Sequence, residues 1–139
     1  YATALTSLQD QTLYMSNQNC VRFHDRIVYD DAYNGLALDN DEGDRIAAAL
    51  GSRDVMFMGN HGILVVGQSL ANAWDDLYYL ERACENQVLA MSTGLPLREI
   101  PTQLVQAAKN QILDSPAYGE RHLEALQAVL EREEPDYRL

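Results

Sequence analysis

The sequence predicts a mixed α/β layer fold. Short runs rich in Val, Ile, Met and Phe read as strands, and longer segments with helical periodicity carry their own start and stop signals. Their order is strand, helix, strand, strand, helix, which places helices on a sheet. The 139 residues suffice for one compact domain, 1–139, and not for two. A domain of this length buries roughly two-thirds of the surface its unfolded chain exposes.

Each element has a local reason. Ala2 to Leu13 reads as a short helix with Ala4, Leu5, Leu8 and Leu13 along one side, interrupted by Asn17, Gln18 and Asn19. Val21 to Tyr29 alternates, with Val21, Phe23, Asp25, Ile27 and Tyr29 on one face, and predicts a strand with one polar intruder. Residues 30–38 are turn-rich around Asn34-Gly35. Asp39 to Leu50 predicts a helix: Asp39 can cap it, Glu42 stands at the capping-box spacing, and Gly51 stops it.

Asp54 to Met58 and Ile63 to Val66 are short apolar strands joined by Gly59-Asn60-His61-Gly62. Apolar residues on both faces predict that both are central in the sheet. Ser69 opens the longest helix, with Leu70, Trp74, Leu77, Cys84, Val88 and Met91 as the expected buried stripe. Glu81 falls inside that stripe and would need a partner. Gly94 and Pro96 end it. Thr102 is expected to cap a helix to Leu113, and Ser115-Pro116 to open a last helix to about Glu133, before a tail from Pro135 to Leu139.

Acids outnumber bases 21 to 10, for a net charge of −11. Such a field disfavours nucleic acid and anionic membrane surfaces as partners, and the bases form no patch. No apolar run approaches the ~20 residues of a membrane span, and no signal peptide is present. Cys20 and Cys84 sit in no metal or redox spacing and read as buried free thiols of a reducing cytosol. The chain opens on Tyr1 inside patterned sequence, so a missing start is expected.

Three histidines exist, His24, His61 and His122. No HxH, HExxH or paired-cysteine spacing accompanies them, and no GxSxG elbow or phosphate loop occurs. His24 and His122 read as surface residues. The acids Asp39, Asp41, Glu42 and Asp44 lack calcium-loop spacing and suit a helix start. Trp74, Tyr78 and Tyr79 read as core or subunit interface. His61 lies between glycines in a turn carried by two strands, where ligands are commonly presented; the alternative is a locally bonded turn histidine.

Several stretches together resemble the class II aldolase/adducin family, in its adducin-like bacterial branch. They are Tyr1-Ala2-Thr3-Ala4-Leu5, Gln18-Asn19 followed by Arg22-Phe23, Gly35-Leu36-Ala37-Leu38-Asp39, Glu42-Gly43, Asn60-His61-Gly62, Leu77-Tyr78-Tyr79-Leu80-Glu81-Arg82 and Pro135-Asp136-Tyr137-Arg138. The resemblance implies a three-layer α/β/α class II aldolase-like domain with a mixed central sheet, here its C-terminal portion and N-terminally incomplete. It implies a divalent metal, usually zinc, held by three histidines. His61 matches the third, and the HxH pair is expected upstream of Tyr1. Tyr14 and Tyr137 match tyrosines that complete a neighbouring subunit's site; ordinary interface tyrosines remain the alternative.

The implied function is metal-dependent carbon–carbon lysis, by retro-aldol cleavage or decarboxylation of a small oxygenated carbonyl compound, with this chain alone inactive. The implied assembly is a cytoplasmic homotetramer. A non-catalytic assembly module like the adducin head domain is the competing expectation.

Overall fold

The computed structural model describes residues 1–36, 40–114 and 117–138. Asp39, Ser115 and Pro116, expected at helix starts, lie outside the described residues, as does Leu139. The elements in chain order are α1 (Ala2–Thr6), α2 (Gln18–Val21), β1 (Ile27–Asp30), α3 (Asn40–Leu50), β2 (Val55–Met58), β3 (Gly62–Val65), α4 (Leu70–Met91), α5 (Thr102–Leu113) and α6 (Tyr118–Glu133). A 3-10 turn, Pro135–Arg138, follows.

The sheet is mixed, in the order β1-β2-β3. β1 runs parallel to β2, with Ile27 opposite Val55, and β2 runs antiparallel to β3, with Val55 opposite Val65. The two apolar strands are neighbours, as their short connection predicts. Among the described residues, however, only β2 has a strand on both sides. All four of its residues are buried, whereas Ile63, Leu64 and Val65 of β3 are half-buried, and among the described residues no strand pairs with the outer side of β3.

Two N-terminal expectations fail for tertiary reasons. The first helix stops at Thr6 rather than Leu13. The hydroxyls of Thr6 and Ser7 both donate to Thr3 O, which loosens the turn, and the following segment finds its backbone partners elsewhere. Leu13 N–H donates to Tyr29 Oη at 3.0 Å, and Gln87 takes the backbone on either side of it. The expected strand from Val21 begins only at Ile27. Asn17, expected to interrupt a helix, instead starts one: its side chain accepts from Asn19 and Cys20 N–H and caps α2. Asp25, at φ 59, then turns the chain into β1.

Helix α4 begins where Ser69 predicts, with Ser69 Oγ accepting from Asn72 N–H. Its buried face matches the expected stripe only at Cys84 and Val88, which pack in or against the core. Leu70, Trp74, Leu77 and Met91 are exposed, while Ala71, Asp75, Asp76, Leu80, Ala83, Cys84 and Gln87 are buried. Hydrophobicity alone misreads the helix because the two aspartates face inward onto arginines. Glu81 finds its partner at the start of α1, accepting from Ala2 N–H at 2.9 Å and from the Tyr1 amino group. Pro101, not Thr102, occupies the cap position of α5.

The core gathers Leu5, Leu13, Phe23, Val55, Phe57 and Leu80 with both cysteines. Cys20 and Cys84 are free and buried, and burial pushes the Cys84 thiol up to about 12. Helix α6 lies close on α4: a Cβ on Gly119 would come within 2.8 Å of Asn72 Nδ2 and 3.1 Å of Ala71 O. No described helix is long and apolar enough to cross a membrane.

Candidate functional site

His61 sits at the tip of the β2–β3 hairpin, exposed to solvent. The hairpin is pinned by its backbone. Gly59 N–H donates to Asp30 O at 2.7 Å, Asn60 N–H to Thr6 O at 2.8 Å, and His61 N–H to Met58 O at 3.0 Å. Asn60 takes the left-handed conformation at φ 57, which its short polar side chain tolerates. Gly62 follows at φ 143, a backbone geometry that a side chain would strain. A buried strand and three backbone hydrogen bonds thus hold an imidazole outward on a short tether.

Close to this tip, helix α3 supplies a charged cluster. Arg45 bridges Asp30 at the end of β1 and Glu42, each at 2.8 Å, and Asn34 Nδ2 donates to Glu42 at 3.2 Å. The Arg45 guanidinium holds the Glu42 carboxyl below its ordinary value, and the Asn34 hydrogen bond adds to the effect. Glu42 and Asp30 in turn strengthen the hold of Arg45 on its proton.

Tyr14 is half-buried, and its hydroxyl donates to Asp10 Oδ2 at 2.5 Å. That bond raises the tyrosine and lowers the aspartate from their ordinary values. Tyr137 lies in the 3-10 turn beyond α6, partly exposed, with its N–H donating to Glu134 O at 3.1 Å. Among the described residues no hydrogen bond joins Tyr14 to His61. No group of three His, Cys, Asp or Glu side chains able to hold a metal occurs among them either. The described residues therefore offer an implied metal one imidazole and do not complete its site.

A second constellation lies at the other ends of β2 and β3. Arg22 pairs with Asp75 at 2.6 Å and Asp76 at 2.9 Å, and Arg26 pairs with Asp76 at 2.6 Å and Asp54 at 2.7 Å. His122 Nδ1 stands 2.8 Å from Asp75 Oδ1. Arg22 also stacks on Tyr79, 4.7 Å from its ring centre. His122 is therefore a half-buried cross-link between α6 and α4, not the surface residue its charged neighbours predict. His24 is also half-buried, beside Asp25 at 3.3 Å. The available signal was the adjacent pair Asp75-Asp76 on a helix face with Arg22 and Arg26 four residues apart.

Comparison with known proteins places this geometry. The family model for the class II aldolase and adducin N-terminal domain matches residues 1–88. A putative aldolase class 2 protein of Pseudomonas aeruginosa is 36% identical over 112 residues, covering 77% of this chain and 43% of that protein. The decarboxylase NovR of Streptomyces niveus is 33% identical over 113 residues, covering 81% of this chain and 41% of its own length. The chain thus spans less than half the length of these curated relatives. The crystal structure of an aldolase II superfamily protein from Pseudomonas syringae superimposes with a TM-score of 0.84 at 35% identity, over 99% of this chain and 55% of that one. The α/β architecture with its mixed sheet is the class II aldolase-like one expected from the sequence, and the chain belongs to the class II aldolase and adducin family.

Proposed function

We propose that this chain is the C-terminal portion of a metal-dependent carbon–carbon lyase domain acting on a small oxygenated carbonyl compound, by retro-aldol cleavage or decarboxylation. The observation that carries the reading is His61, an exposed imidazole held outward by a buried strand and a pinned hairpin. In this reading His61 is one of three histidine ligands to a divalent metal, zinc by preference, and the other two come from outside these residues. Such a metal supplies a Lewis acid toward the substrate's oxygen. The likeness to NovR, itself a decarboxylase, supports carboxylate loss as one of the two reactions.

The chain's own residues supply position and proton-bearing groups. The hairpin bonds fix His61 before any ligand arrives, which lowers the ordering cost of binding. Tyr14 and Tyr137 would contribute hydroxyls to a site shared with a neighbouring subunit, Tyr14 with its oxygen already oriented by Asp10. A cytoplasmic homotetramer suits this sharing. The exposed Leu70, Trp74, Leu77 and Tyr78 of α4 form an apolar face of the kind that subunits cover.

That same face supports a second reading, an assembly module without catalysis, since adducins belong to the family. One experiment separates the two. Bound metal and lyase turnover are measured on the full-length protein and on its His61→Ala variant. Stoichiometric metal lost in the variant together with turnover supports the lyase. A wild-type protein that assembles but holds no metal supports the module.

A further inference from the structure

The cleft floored by the Arg22, Arg26, Asp75 and Asp76 network has a volume of about 970 Å³ and is walled in part by α6, through Tyr118, Arg121 and His122. Three features give it a chemical preference. The first is His122. An ionised carboxylate only accepts hydrogen bonds, so the Asp75 contact is made by an Nδ1–H. Nε2, on the far side of the ring from Asp75, is the ring nitrogen left to hydrogen-bond a ligand. Tyr78 meets the ring edge-on at 4.8 Å and Tyr79 lies at 6.0 Å, which restrains its rotation.

The second feature is Arg121, exposed at the rim and without an acidic partner among the described residues. The third is the local charge. The chain carries −11 overall, yet three of its ten basic residues line this cleft against three aspartates. Asp75 and Asp76 are buried at 4% and 6% exposure and already engaged by Arg22 and Arg26. A small anion entering the cleft therefore meets the unpaired guanidinium of Arg121 and not the general negative field. Arginine's planar fork matches a carboxylate in two hydrogen bonds.

We propose that this cleft binds a small hydroxylated carboxylate, with Arg121 taking the carboxylate and His122 Nε2 hydrogen-bonded to the hydroxyl. Asn72 of α4, whose amide lies against Gly119 of α6, also lines the cleft and supplies a further polar group for the ligand. No covalent step is involved. The proposal stands independently of the lyase reading, because it uses neither His61 nor a metal.

The test is an NMR titration of the isotope-labelled chain with glycolate, and with acetate as the analogue lacking the hydroxyl. Glycolate is expected to shift the amides of Asn72, Tyr118 and His122 saturably and to bind about tenfold more tightly than acetate, as one hydrogen bond to a polar ring nitrogen warrants. Arg121→Gln, an exposed change that leaves the fold alone, is expected to weaken both ligands. His122→Phe is expected to reduce glycolate to the affinity of acetate. Glycolate that shifts no cleft residue saturably, or that binds no better than acetate to the wild-type chain, overturns the proposal whether or not the His122 variant folds.

Discussion

Gln87 holds Tyr14 by its backbone. From α4, Gln87 Oε1 accepts from Tyr14 N–H and its Nε2 donates to Thr12 O, both at 2.8 Å, so one buried amide replaces a neighbouring strand for residues 12–14. Replacing it by Leu leaves a buried donor and acceptor without partners, each costing about 1–3 kcal/mol. Gln87→Leu is expected to lower unfolding free energy by about 2–4 kcal/mol in chemical denaturation. A loss within experimental error would show that water replaces the amide and that residues 12–14 are held by other contacts.

His61→Ala is expected to leave the fold nearly untouched. The side chain is exposed, so its removal opens no cavity, and the change in stability should stay within about 0.5 kcal/mol. The 139-residue chain by itself is expected to retain no zinc through dialysis, because one imidazole competes poorly with hydration. Stoichiometric zinc surviving dialysis of that chain would mean that its ligands lie elsewhere in these residues. A thermal midpoint that falls steeply in metal-free His61→Ala would make the residue structural.

Asp75 answers to two partners at once, the Arg22 guanidinium and the His122 ring. Asp75→Ala is expected to destabilise the chain by about 1–3 kcal/mol, since Arg22 keeps Asp76 but the part-buried donors of Arg22 and His122 each lose an acceptor. A double change, Arg22→Met with Asp75→Leu, is expected to recover much of that loss, because hydrophobic replacement of a whole pair is frequently neutral. Equal destabilisation by the single and double variants, measured by denaturant unfolding, would show that packing rather than charge dominates at this site.

The Cys84 thiol gives a pH prediction. Burial raises it from an ordinary 9.0 to about 12 in the folded chain. A raised thiol favours folding fully below the unfolded value, and the contribution is lost as pH rises from 9.0 toward about 12, where the unfolded thiol ionises and the folded one resists. Cys84→Ala is therefore expected to flatten the alkaline fall of the thermal midpoint relative to wild type. Unchanged alkaline slopes in the two proteins would place the sensitivity on other groups. In the native state the thiol is also expected to be inert to disulfide reagents that attack thiolates.

The parts of the fold that were legible in the sequence are those with local causes. Ser69 starts α4, Gly94 follows its end, and the run Val55 to Met58 pairs with its neighbour across Gly59-Asn60-His61-Gly62, because capping, chain reversal and burial on both faces are written in adjacent residues. What failed was settled at a distance. Leu13 lies in no helix because Tyr29 and Gln87 claim that segment's hydrogen bonds, and no periodicity in residues 2–13 reports on residue 87. The face of α4 was misread because Asp75 and Asp76 become interior residues only once Arg22 and Arg26 are folded against them. Of the candidate site, the turn holding His61 was readable from its glycines, whereas the role of His122 depended on a partner 47 positions away.

The hairpin carrying His61 differs from the rest of the sheet in how far apart its strands lie along the chain. Met58 meets Gly62 across three residues, while Ile27 must find Val55 across a long crossover that includes α3. Loop closure of a few residues is fast and entropically cheap, and distant pairing is slow. The imidazole should thus be presented early during folding, on a kinetic unit that forms before β1 docks. Pulsed hydrogen exchange would register this as protection of the Met56–Leu64 pairing ahead of Ile27 and Val28.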